Sequence, residues 1–148
     1  MANTIVPLIS SGVAGPLGVL HLPRLWQKAS LEARGKLAAG YPGIGKGYDT
    51  MTINALGLNP EALKKFITDS KPSYPQFEAW IKKQSGVKLD KATLYKHNQS
   101  ILGYIHDDAT RKSILGASAI ADESGVNPGA VDLNNLDDWM EFYNAELK

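Results

Sequence analysis

The chain has 148 residues, of which 43% are apolar and 21% charged, with a formal net charge of +1 and no cysteine. That length suits one domain with a single core, and the composition is neither that of a disordered chain nor that of a membrane protein. Disulfides, thiolate nucleophiles, iron–sulfur clusters and Cys-ligated zinc are excluded, which fits a cytoplasmic protein.

No side chain before Arg24 carries a fixed charge. Residues 5–9 and 13–20 are apolar runs, but a signal peptide needs a basic leader, and Pro7, Gly12, Gly15, Pro16 and Gly18 interrupt any helix. Residues 1–20 are therefore expected to form an extended, uncharged arm. It would lie on the domain or on a partner subunit, which makes it a route to a homo-oligomer.

Residues 21–148 are expected to form a single all-α domain of six or seven short helices. Pro23 suits a first helical turn, and Leu22, Leu25, Trp26, Ala29, Ala33 and Leu37 follow at three- and four-residue steps. Residues 40–47 are too rich in glycine for anything but loop. Asp49 or Thr50 is the expected cap of a short helix ended by Gly57. Asn59-Pro60 opens another, burying Leu63, Phe66 and Ile67. Ser73 and Gln76 have capping-box spacing before the stripe Phe77, Trp80, Ile81. Asp90 caps a central helix running through Leu94, Ile101, Leu102 and Ile105. Asp107 or Asp108 starts the next, carrying Ile114, Leu115 and Ile120 towards Gly125. Residues 126–133 read as loop or a brief extended piece. Asn135 opens the last helix, with Asp137 and Asp138 in its first turn and Trp139, Phe142, Tyr143 and Leu147 as its buried face. Trp26, Phe66, Trp80, Leu94, Ile101 and Trp139 are the expected core markers.

Charge is unevenly placed. Residues 24–112 carry fifteen basic and eight acidic side chains, whereas residues 113–148 carry one and seven. Either the two halves complement each other on folding, or the basic body steers an anionic ligand. No basic run, zinc finger or RNP-like motif points to nucleic acid, and no apolar stretch is long enough to span a membrane.

Four places are candidates for chemistry. The loop at residues 40–47, with Lys46, has the glycine and lysine spacing of a phosphate loop. Gly47, however, stands where Ser or Thr would bind magnesium, and no strand precedes it, so magnesium-nucleotide binding is not expected. Its backbone N–H groups could still cradle an anion, or it is a connector. His21, Arg24 and Lys28 share one side of the first helix and could hold a carboxylate or phosphate, or form a solvated face. His97 and Asn98 interrupt the apolar stripe of the central helix; they either tie down a loop or line a pocket in which His97 acts as acid or base. The histidines lack metal-ligand spacing, and no Gly-x-Ser-x-Gly elbow suggests a serine triad. Neither a metal nor a cofactor is expected.

Several segments together resemble a bacterial family catalogued as domain of unknown function 5069: His21-Leu22-Pro23-Arg24-Leu25-Trp26-Gln27-Lys28, the loop over residues 40–49, Leu56-Gly57-Leu58, residues 72–80, His97-Asn98 and Asp137-Asp138-Trp139. The order of these landmarks carries the resemblance, which covers the chain from about residue 15 onward. It implies a soluble bacterial domain and no residue roles. The residues themselves suggest binding of a small anionic ligand. Arg24, Lys28, Asn98, His21 and Lys46 would hold it, and His97 and Asp49 would transfer protons without a cofactor. The rival is a non-catalytic interaction or assembly module.

Overall fold

A computed structural model describes residues 3–123 and 129–148 and is all-α. Seven α-helices are seen among the described residues: α1 (Leu22–Ala33), α2 (Tyr48–Leu56), α3 (Pro60–Ser70), α4 (Tyr74–Lys82), α5 (Lys91–Gly103), α6 (Asp108–Ala117) and α7 (Ala130–Phe142). A π-helical turn, Tyr143–Leu147, continues α7. Extended pairing among the described residues is confined to two isolated bridges, Ile5 with Leu37 and Ile105 with Gly129. No described helix is long and apolar enough to cross a membrane.

Helix starts follow local chemistry. Asn59, Ser73, Asp90 and Asp107 each accept a backbone N–H three residues on, which satisfies a donor the helix cannot. At Ser73 the Gln76 side chain returns the bond, completing a capping box. Gly57 ends α2 at φ 70°, a left-handed conformation that a Cβ disfavours.

Helix α1 is the hub, packing against α2, α3 and α4. Leu22, Leu25, Ile53, Leu56, Leu63, Ile67, Phe77 and Ile81 form the main core, with Trp26, Phe66, Trp80 and Leu94 partly buried around it. A smaller cluster, Tyr48, Ile101 and Ala130, joins α2 to α5 and α7. The arm lies along its own chain. Val19 and Ser11 are buried, and Ile9 N–H and Leu17 N–H donate to the side chains of Gln27 and Glu78.

Several sequence expectations are corrected. Gly47, not Asp49 or Thr50, precedes α2; Asp49 is its second residue. Helix α5 ends at Gly103, which leaves Leu102 and Ile105 exposed. Helix α6 ends at Ala117 and Ile120 is exposed, while Gly125 and Val126 lie outside the described residues. The last helix opens at Ala130, five residues before the expected start, so Ala130–Leu133 is helix rather than loop. That shift rotates its buried side to Ala130, Leu133 and Asp138; Trp139, Tyr143 and Leu147 are exposed and Phe142 is half-buried. Trp139 is 60% exposed. Trp139→Ser should accordingly change stability by no more than about 0.5 kcal/mol in a urea titration.

Candidate functional site

Six segments meet around one cleft of about 510 Å³, a size typical of small-molecule sites. The arm contributes Ser11. Helix α1 contributes Arg24 and Lys28, His21 stands just before it, and the glycine loop adds Tyr41, Gly45 and Lys46. The first turn of α2 brings Tyr48 and Asp49, and the far wall holds Tyr104, His106, Asn134, Asp137 and Asp138.

The cationic side of α1 is not a solvated face. His21, Arg24 and Lys28 are 2%, 7% and 7% exposed. Buried charges require partners, and the chain supplies them. Arg24 grips Asp138 with two guanidinium nitrogens, Nη1 at 2.7 Å and Nη2 at 3.1 Å. The same guanidinium donates to the carbonyls of Pro7 and Ile9, so one side chain ties the arm and α7 to α1. Tyr41 O–H donates to Asp138 at 2.8 Å, and Arg24 stands 6.0 Å over the Tyr41 ring. Burial and then the nearby Asp138 push the Tyr41 phenol far above its ordinary range.

Asp49 centres the second network. Its Oδ2 accepts Lys28 Nζ at 2.6 Å and Gly45 N–H at 2.7 Å, and its Oδ1 lies 2.5 Å from His21 Nε2. The other ring nitrogen, Nδ1, is 2.9 Å from Ser11 Oγ. Burial lowers the His21 pKa and outweighs the Asp49 carboxylate, which raises it. Burial pushes Asp49 upward, but the hydrogen bond from His21 and the charge of Lys28 overcome it, leaving the carboxyl below its usual range. The lowered pKa favours the neutral form of His21. Its proton sits on Nε2 facing an acceptor-only carboxylate, and its bare Nδ1 takes the Ser11 hydroxyl proton as a hydrogen bond. This Ser–His–Asp array comes from three separate elements, which is why no local sequence motif announces it.

The glycine loop serves this site in an unexpected way. Gly43 N–H donates to Glu32 and Gly45 N–H to Asp49, so carboxylates of the chain itself occupy the donors that a phosphate would use. Lys46 is exposed at the rim.

His97 and Asn98 are not part of this cleft. Asn98 accepts Leu20 N–H and donates to Gly18 O, both at about 3 Å, while His97 Nε2 donates to Leu20 O at 3.0 Å. They fasten the end of the arm to α5. His97 lines a second depression, with Lys88 and Lys96, and Met51 of α2 lines both. Burial lowers the His97 pKa, and its bond to Leu20 O raises it by less. Asn98→Ala should lower stability by about 1–3 kcal/mol, because the half-buried Leu20 N–H and Gly18 C=O lose their partner. A urea titration reads the loss, and ligand affinity at the cleft should stay unchanged in the folded protein.

Of the residues singled out by sequence, His21, Arg24, Lys28, Lys46 and Asp49 converge, whereas His97 and Asn98 do not. Sequence reasoning misses Ser11, Tyr41, Asp137 and Asp138. Asp137 lines the cleft half-buried, and desolvation, then Asp138 and Glu141, raise its pKa. Among the described residues no three His, Asp or Glu side chains gather as a metal-ligand set. The chain matches no family model, no curated protein and no solved structure.

Proposed function

We propose that this protein binds a small polar, anion-bearing molecule in the cleft and acts on it without a cofactor, His21 rather than His97 being the proton-transfer group. The observation that carries the reading is a histidine buried between a hydroxyl and a carboxylate, on the wall of a cavity of ligand size. Arg24 and Lys28 are spent on Asp138 and Asp49, so they shape the cleft rather than grip the ligand. Its anionic group falls instead to Lys46, which lines the cleft and is exposed. The resemblance to the family of unknown function 5069 adds no residue role to this reading.

The test is a thermal-shift screen with small mono-, di- and tricarboxylates and sugar phosphates. At least one should raise the melting temperature saturably, with affinity about tenfold weaker in Lys46→Ala. A screen with no saturable shift rejects the reading.

The alternative, an assembly module, draws on one observation. Trp139, Tyr143 and Leu147 recur every fourth residue along α7 and its π turn and are 60%, 46% and 66% exposed. A second copy of this chain could cover that stripe. Under this reading, sedimentation would give a concentration-dependent dimer that Trp139→Ser abolishes.

A further inference from the structure

We propose that Ser11 is a nucleophile, and that Ser11, His21 and Asp49 together hydrolyse small esters with short acyl groups. The inference rests on the cleft being a substrate site and adds the reaction.

Three independent features support it. The first is the order of hydrogen bonds. Ser11 Oγ meets His21 Nδ1 at 2.9 Å, and His21 Nε2 meets Asp49 Oδ1 at 2.5 Å, giving a continuous path from hydroxyl to base to carboxylate. Which ring nitrogen faces the serine does not matter to the chemistry, since either can accept the proton while the other donates. Lys28 and Gly45 N–H fix the second oxygen of Asp49, which holds it ionised and oriented.

The second feature is backbone strain. His21 is a non-glycine residue at φ 74°, at the position preceding α1. Its side chain caps nothing there and turns to Ser11 and Asp49 instead. Non-glycine residues held in such a conformation cluster at active sites.

The third feature is access. Ser11 is 1% exposed yet lines the cleft, so a carbonyl reaches it only through the cavity, and a short acyl group fits that restriction. Gly47 and Tyr48, at the N-terminal end of α2, line the same cavity, where positive dipole stabilises a developing oxyanion.

The step balances without a co-reactant. Ser11 Oγ bonds to the carbonyl carbon as its proton passes to His21 Nδ1, and the carbonyl electrons become the oxyanion. Collapse breaks the carbon–oxygen bond to the leaving alcohol, which takes the proton from His21. Water then repeats the sequence on acyl-Ser11, and ester plus water has become acid plus alcohol.

The test treats the full chain with a small dialkyl fluorophosphate and with p-nitrophenyl acetate, read by intact mass and peptide mapping. One phosphoryl adduct per chain on Ser11 is expected. Its rate should fall at least a hundredfold in His21→Gln, and labelling should vanish in Ser11→Ala while Ser10 stays unlabelled. Because Ser11→Ala could disturb the arm, Ser11→Cys serves as a second variant. The chain has no other cysteine, and iodoacetamide should alkylate the thiol of Ser11→Cys at pH 6 at least tenfold faster than free cysteine, the excess disappearing with His21→Gln. A folded protein that forms no Ser11 adduct, or a Ser11→Cys thiol no faster than free cysteine, overturns the proposal, and Ser11 then only orients His21. If carboxylates or sugar phosphates still shift the melting temperature, the cleft remains a ligand site; if they do not, both readings fall.

Discussion

Arg24→Ala should lower the melting temperature by about 10–20 °C, among the largest effects of any single substitution in this chain. Arg24 and Asp138 are both buried and joined by two hydrogen bonds. Removing one partner of such a pair leaves the other charged and unsolvated, which costs about 3–5 kcal/mol, and each kcal/mol moves the midpoint of a domain this size by a few degrees. The carbonyls of Pro7 and Ile9 lose a donor as well. The double variant Arg24→Met, Asp138→Leu should recover much of the loss, because it leaves no lone buried charge. Thermal unfolding followed by circular dichroism, with both single variants, completes the cycle. A drop below about 3 °C for Arg24→Ala would mean that the pair is solvated in solution.

Asp49→Asn should cost a comparable 3–5 kcal/mol, since it strips Lys28 of its counter-charge and sets an amide where an acceptor-only group was. The pH dependence of the unaltered protein follows from the same network. The folded pKa of His21 is lowered, so below about 6.5 the unfolded chain binds a proton that the folded one refuses. Stability therefore falls as pH drops below that value, by up to about 1.4 kcal/mol per pH unit for each such histidine, and His97 adds a second contribution of the same sign. The folded pKa of Asp49 is also lowered, so its contribution is complete above about 3.9 and is lost as pH falls through the lower folded value. Urea titrations from pH 8 to pH 3 should show both stages. His21→Gln should shallow the first and Asp49→Asn should abolish its share of the second; an acid limb unchanged in both variants would contradict the assignment.

What the sequence makes legible is what neighbouring residues decide. The caps at Asn59, Ser73, Asp90 and Asp107 act within three residues, and each stands where its local pattern places it. Helix α7 starts elsewhere than its pattern suggests, for the same reason. It begins after Gly129 without a side-chain cap, while Asp137 and Asp138 imitate first-turn acids although they lie deep in the helix. Asp138 is there because Arg24, 114 residues away, needs a carboxylate. Periodicity offers the cationic side of α1 to solvent because it cannot see the arm or α7 closing over it. The uneven charge along the chain does hold a signal, since the basic body and acidic end meet at Arg24–Asp138. Ser11 leaves none, because nothing local marks a lone serine that a histidine ten residues on will approach.

The unequal division of the core has a kinetic and dynamic consequence. Helices α1 to α4 share a large apolar cluster, whereas among the described residues just Tyr48, Ile101 and Ala130 are buried in the cluster that seats α5 and α7. Opening free energy scales with what must be exposed, so backbone amides of α5 and α7 should exchange with deuterium well before those of α1 and α4. The contacts that complete the cleft also close the longest loops, so they should be nearly absent from the folding transition state. The cavity would then be finished last during folding and released first during local unfolding. A molecule bound in it would slow amide exchange throughout α7, including on the side facing away from the cleft.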